Sequence, residues 1–200
     1  MEYQIPIPNL PNSDKPDFTV VQKAWWDVIN LVYEVADIEG PRGFINEFTH
    51  LFSQKHRDRR TPMRLTLELR IMGGSNVIMA PQAGNNLTAS IEILTIPDAD
   101  RDGEWQDFMQ RVSNIWMAYK DNDNMLLNTR PHWAKDWEGL TLGEGISKRD
   151  AREYLRTVSY KDAIPSFKAT LAEIGKEQGW GLEDIRARFS NDLWDKMIYS

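Results

Sequence analysis

Apolar residues recur at Val21, Trp25, Val28, Ile29, Val32 and Val35, the spacing of one helical face, and predict a first helix over 17–38. Behind the Gly-Pro break at 40–41, Phe44, Phe48, Leu51 and Phe52 repeat that spacing, so a second helix is expected to complete a hairpin. The period then changes. In "PMRLTLELRIM", Met63, Leu65, Leu67, Leu69 and Ile71 alternate with Arg64, Thr66, Glu68, Arg70 and Met72, the period of two that marks a strand. Gly73 to Asn76 form a turn signal, "NVIMAP" reads as a short strand, and "NLTASIEILTIP" reads as another. In this last segment Ala89, Ile91 and Ile93 share one parity and Ser90 and Glu92 the other. Helical spacing returns with Trp105, Phe108, Val112, Ile115, Trp116 and Tyr119, behind Asp102 as the expected N-cap. Ser147 and Asp150 have the spacing of a capping box for "KRDAREYLRTV", and helices are expected at 164–178, 181–188 and 190–198. This order lacks the βαβα alternation of a parallel sheet and predicts an α+β fold, an antiparallel sheet flanked by helices. The Pro- and Asn-rich residues 1–16 read as an extended N-terminal arm ahead of a single domain over 17–200.

Composition narrows the function classes. The chain has 200 residues, no cysteine and a net charge of −6. Disulfides, thiolate nucleophiles and cysteine-held metals are therefore excluded. The one basic run, "KHRDRR" at 55–60, is short and follows an expected helix end, where cations are favoured, so nucleic-acid binding is not expected. No segment has the basic start and apolar run of a signal peptide. The most apolar helix is interrupted by Lys23, Asp27, Asn30 and Glu34, so no membrane span is expected and a cytoplasmic location fits. The 8 tryptophans would serve equally to build a core or to line a site for a bulky organic ligand.

Several chemical motifs fail on inspection. Asp98, Asp100 and Asp102 precede Gly103 as in a calcium loop, but Met109 stands where a bidentate carboxylate is needed. His50 and His56 do not lie one helical turn apart, and "GLTLGEGISK" is not a phosphate-binding loop. No metal site is expected. Two motifs survive. Glu68 and Arg70 are one residue apart on an alternating strand, so a carboxylate and a guanidinium emerge together from one face. "RPHWAK" sets His132 and Lys135 on a segment kept extended by Pro131, combining acid–base capacity with a fixed cation.

These two motifs together resemble the FAD-dependent aldonolactone and alditol oxidases of the vanillyl-alcohol-oxidase superfamily. "RPHWAK" is similar to the HWxK signature of that family. "ELR", followed by "IMGGSNVIMAP" and "SIEI", resembles its E-x-R strand and the strand after it. The resemblance covers residues 60–140 well and the helical remainder loosely. It implies the substrate or cap domain of such an oxidase, an antiparallel sheet flanked by helices that closes over the flavin. It further implies that Glu68, Arg70, His132 and Lys135 are catalytic, with Arg70 and Lys135 stabilising negative charge and Glu68 acting as acceptor or base. Trp133, Arg130 and Asn76 are the expected substrate-binding residues.

No Gly-rich pyrophosphate loop or flavin-binding segment accompanies the motifs, so no cofactor is expected in this chain unless FAD comes with a separate domain. One expectation is a small-molecule enzyme that keeps the substrate domain and performs non-redox chemistry, such as cyclisation, isomerisation or dehydration of an apolar oxygenated compound. The start at Met1 favours it. The alternatives are one half of a split flavin-dependent alcohol, sugar-lactone or sterol oxidase, and a non-catalytic binding protein. The expected partners are a small-molecule substrate and either an FAD-bearing domain or a second copy of the chain.

Overall fold

The structure, a computed structural model, describes residues 1–35, 63, 66–96 and 103–200. The second expected helix, the basic run, His50, His56, Asp98, Asp100 and Asp102 lie outside these residues. The architecture is α+β. Strands β1 (Glu2–Ile7), β2 (Glu68–Gly73), β3 (Leu87–Glu92) and β4 (Arg130–Pro131) form an antiparallel sheet in the order β2-β3-β1-β4. A second pair, β5 (Thr141–Leu142) and β6 (Arg149–Asp150), is also antiparallel.

The N-terminal residues are not an arm. Glu2 to Ile7 are extended, as their composition implies, but they form an inner strand between β3 and β4, with Tyr3 and Ile5 fully buried. Proline is tolerated there because Pro6 stands near the strand's end, opposite Thr88. The alternation Tyr3, Ile5, Ile7 against Glu2, Gln4 is what identifies the strand; turn-forming residues further along, Pro8 to Asp14, mask it.

The apolar parity of β1 and β3 packs on two helices. Helix α1 (Thr19–Val35) buries Val21, Ala24, Val28 and Leu31. Helix α2 (Glu104–Met117) buries Trp105, Phe108, Met109, Val112, Ser113, Trp116 and Met117. Trp116 ties the layers together. Its indole N–H donates to the Ala24 carbonyl at 3.2 Å, and its ring meets Tyr3 edge-on with centroids 5.5 Å apart. The Tyr3 hydroxyl lies 2.5 Å from Ser113 Oγ, giving both buried hydroxyls a partner. The buried apolar side chains form one cluster that extends from Met1 to Ile198.

Local signals differ from expectation at four places. β2 begins at Glu68, and Met63, Thr66 and Leu67 precede it outside the ladder. "NVIMAP" forms no strand; it belongs to the β2–β3 connection, which has an isolated bridge between Ser75 and Ala83. Gly103, at φ 81°, holds the N-cap position of α2 and provides no side-chain cap. Asp150, rather than Ser147, caps α3 (Ala151–Tyr154), accepting from the amides of Arg152 and Glu153; the Ser147 hydroxyl donates to Glu144 O. α3 runs on as a π-turn, Leu155–Ser159. Helices α4 (Ala163–Gln178), α5 (Leu182–Phe189) and α6 (Asp192–Trp194) follow, with a closing π-turn, Asp195–Tyr199.

Candidate functional site: the polar face of the sheet

Because successive strand residues point to opposite faces, the second parity of the same strands makes a polar surface. Register aligns it into rows. Glu68, Glu92 and Glu2 are neighbours across β2, β3 and β1, and Arg70, Ser90, Gln4 and Arg130 form the adjacent row through β4. Glu2 and Glu92 are only 4% exposed and Gln4 is fully buried, whereas the side chains of Glu68 and Arg70 on edge strand β2 are 43% and 51% exposed. The face thus has a buried acidic floor and an open charged rim.

Two cations serve that floor. The Arg70 guanidinium donates to Glu68 at 2.7 Å and lies 3.8 Å from Glu2 and 3.6 Å from Glu92. Lys135 Nζ donates to Glu92 at 2.5 Å and lies 3.7 Å from Glu2. Lys135 arrives from the "RPHWAK" segment through a definite path. His132 N donates to Glu2 O at 2.9 Å, prolonging the β1–β4 ladder, and Lys135 N then donates to His132 O at 3.1 Å, turning the chain back over the sheet. The His132 ring fixes this turn by accepting from Ala134 N at 3.2 Å.

Hydrogen bonds complete the floor. Glu2 accepts from Gln4 Nε2 at 2.9 Å and from the Ser90 hydroxyl, and Gln4 Nε2 also lies 3.0 Å from Ser90 Oγ. Burial, the largest single influence on Glu2, raises its pKa. The Ser90 hydrogen bond and the charges of His132, Lys135 and Arg70 together outweigh it, and hold the carboxyl below its ordinary value. Lys135 is shifted upward by its hydrogen bond to Glu92 and by the charges of Glu92 and Glu2, against the opposing effects of burial and Arg70. Both shifts favour the charged forms of Glu2 and Lys135, and the Arg70 and Lys135 side chains are 51% and 34% exposed at the rim.

The four residues expected to be catalytic thus converge on one face. The three expected to bind substrate are placed elsewhere. Trp133 points into the core wall: its indole N–H donates to Met79 O at 2.9 Å, and its ring lies 4.5 Å from Tyr160 and 6.0 Å from Trp194, centroid to centroid. Arg130 is 2% exposed and donates from its two terminal nitrogens to Ala83 O at 2.5 Å and Ser159 O at 3.4 Å, while its Nε is buried without a partner and its guanidinium lies 5.0 Å from the Tyr160 ring. Burial lowers the Arg130 pKa and raises that of Tyr160 to about 12. Asn76 is exposed in the β2–β3 connection. Trp133 and Arg130 instead pin that connection beside the polar face. Gln82 reaches from it to Gln4 Oε1 at 3.3 Å.

The connection leaves the sheet at a crowded point. A side chain at Gly74 would place its Cβ 1.6 Å from Asn85 O, so only glycine lets the two arms close. Reading by sequence missed Glu2, Gln4, Ser90 and Glu92. The alternation in "EYQIPI" and "TASIEI" carries the signal, since polar residues on an inner strand have no solvent face to occupy.

Chemically, the arrangement offers a forked donor and an ammonium beside a half-exposed carboxylate, suited to holding an oxygen atom on which negative charge develops. Among the described residues no group of three or more His, Cys, Asp or Glu is placed to hold a metal ion, and no helix is long and apolar enough to cross a membrane. No family model matches the chain, and no curated protein or solved structure matches it.

Proposed function

We propose that the polar face binds an oxygenated small molecule, a polyol, lactone or carbonyl compound, and stabilises negative charge on its oxygen through Arg70 and Lys135. Glu68, half-exposed and paired with Arg70, accepts the substrate's hydroxyl proton or hydrogen bond. Glu2 and Glu92 hold the two cations in place from below. The observation that carries this reading is the convergence of Arg70 and Lys135, from segments far apart in the chain, on one pair of buried carboxylates.

The rim's exposure further supports a composite site, in which this chain is the substrate half and an FAD-bearing domain forms the other wall. The donor set fits that group: Arg70 and Lys135 present two cations that suit an electron-rich ring edge, and Glu68 would face the substrate. FAD, when bound, supplies acceptance of a hydride from the substrate carbon. This chain's residues position the substrate oxygen and carry its proton. A second reading is favoured by the way Arg70 and Lys135 are already held by Glu2, Glu68 and Glu92 without a cofactor. There the same cations polarise a carbonyl for a non-redox isomerisation, dehydration or cyclisation.

The test is amide NMR of the isolated chain against a panel of alditols and aldonolactones. The expected result is a saturable shift at Glu2 to Gln4 and Ser90 to Glu92 that is lost in Arg70→Ala and weakened in Glu68→Gln, both retaining the native dispersion of the remaining signals. Shifts that persist in Arg70→Ala, or none at all, overturn the site. FAD is titrated separately. A change in its visible absorption that depends on Arg70 supports the composite reading; an unaffected spectrum, with substrate consumed by mass spectrometry, supports the second.

A further inference from the structure

The "RPHWAK" segment turns at His132. Its own N–H donates to Glu2 O at 2.9 Å, its carbonyl accepts from Lys135 N at 3.1 Å, and its ring Nδ1 accepts from Ala134 N at 3.2 Å. The residue thus ends the β1–β4 ladder on one side and opens, on the other, the tight turn that brings Lys135 back to Glu92. A side chain that accepts from the amide two positions ahead is usually Asp, Asn or Ser, whose oxygen makes that bond throughout the neutral range. The turn alone therefore does not call for a histidine.

An imidazole differs in that its acceptor can be withdrawn. Because the Ala134 N–H is the donor, Nδ1 has to present its lone pair, and the neutral ring carries its proton on Nε2. A charged ring has a proton on both nitrogens, so Nδ1 would meet Ala134 with an N–H of its own. The bond to Ala134 and a positive charge on the ring exclude each other. Imidazole is also the side chain that ordinarily changes charge between about pH 5 and 8. The released groups have other partners. The exposed Ala134 can turn to water, and the charged ring has Glu2: among the charges acting on that carboxyl, the one on His132 is the strongest, ahead of Lys135 and Arg70. The other charged groups of this corner are Glu92 and Asp136, which favour a positive ring, and the Met1 amino group, which opposes it together with Lys135 and Arg70.

We propose that His132 is the positioning residue of the polar face: as the neutral Nε2–H tautomer it clamps the turn that delivers Lys135 to Glu92 and Glu2, and on protonation it releases Ala134, turns toward Glu2 and loosens Lys135. It acts through Lys135 rather than on a substrate. Its consequence for ligands rests on the binding role proposed for that face, whereas the clamp and its tautomer belong to the chain alone.

The test is NMR of the full chain without ligand, with the histidine ring nitrogens labelled, titrated from about pH 8 to 5.5. At the upper end the His132 ring is expected to show a bare Nδ1 and a protonated Nε2. As the ring gains its second proton, the Ala134 amide and the Lys135 ε-methylene signals are expected to move with the same midpoint, and the Ala134 amide to exchange faster with water. His132→Asn keeps an acceptor at the first position of the turn and has no proton to gain, so it is expected to hold both sets of signals constant over the range. His132→Ala is expected to give the released positions at every pH, with native dispersion elsewhere. A ring protonated on Nδ1 at the upper end, Ala134 and Lys135 signals that ignore the ring's midpoint, or signals that still titrate in His132→Asn overturn the proposal. A second arm adds the alditol or aldonolactone bound most tightly by the polar face. Its affinity is expected to fall about threefold to tenfold as the ring becomes charged, the scale of one lost hydrogen bond, and to stay constant in His132→Asn. If none of these compounds binds, the reading of the polar face fails, and the ligand-free titration still decides the role of His132.

Discussion

The two faces of the sheet are made by alternate residues of the same strands, yet they are held by different physics. Tyr3, Ile5, Ala89 and Ile91 on one face are fully buried against α1 and α2, and their stabilisation grows with the apolar area removed from water. Glu2, Gln4, Ser90 and Glu92 on the other are nearly as buried, but each needs specific partners to be there at all. The apolar face tolerates changes of detail and fails by losing volume. The polar face is compact only while Arg70, Lys135 and the Ser90 hydroxyl satisfy its carboxylates. A protein that needed only stability would not place two glutamates in its inner strands, which is the physical case for reading that face as functional.

The largest expected effect is on the apolar face. Ile91→Ala removes a fully buried side chain between the sheet and its helices, and is expected to cost about 2–5 kcal/mol in urea unfolding. Ligand-dependent shifts on the polar face should survive under native conditions. If they do not, the two faces are not energetically separable.

Lys135→Met is the corresponding break on the polar face. It leaves Glu92 and Glu2 with Arg70 as their remaining close cationic side chain, and is expected to cost about 1–2 kcal/mol at pH 7, between the values for exposed and buried pairs. The cost should depend on pH. Glu2 is depressed below 4.5, so its contribution is present above that value and lost as pH falls through the lower folded one. Lys135 is raised above 10.5, so its contribution holds below that value and is lost as pH rises through the higher one. Urea midpoints of wild type and Lys135→Met should therefore differ at pH 7 and converge at both extremes. A difference independent of pH would assign Lys135 a packing role instead.

The smallest effect tests whether the apolar parity is uniform. Leu69 shares it but is 41% exposed on edge strand β2, so Leu69→Thr is expected to change stability by less than about 1 kcal/mol. A larger loss in thermal unfolding would mean that another segment covers this edge.

Some of this was legible in the residues. Period two in "LTLELR" and "TASIEI" gives β2 and β3, and it also places Glu68 with Arg70, because side chains two apart on a strand share a face whatever the rest of the fold does. Helical spacing gives α1, α2 and α4 within a few residues of their ends. These features are local, set by backbone geometry over a handful of positions. The first strand was hidden because Pro6 and the turn residues after Ile7 dominate a short window, while the pairing that makes β1 an inner strand is with Leu87–Glu92, far along the chain.

The sequence by itself therefore determined an α+β class, the polar and apolar parity of two strands, and the Glu68/Arg70 pair. Only tertiary structure decided that Glu2 and Glu92 stand side by side, that Lys135 folds back onto them, and that Trp133 and Arg130 turn into the wall. The physical reason is that each of those outcomes depends on long-range strand register and on which carbonyls and carboxylates happen to need a donor, quantities that no window of neighbouring residues contains.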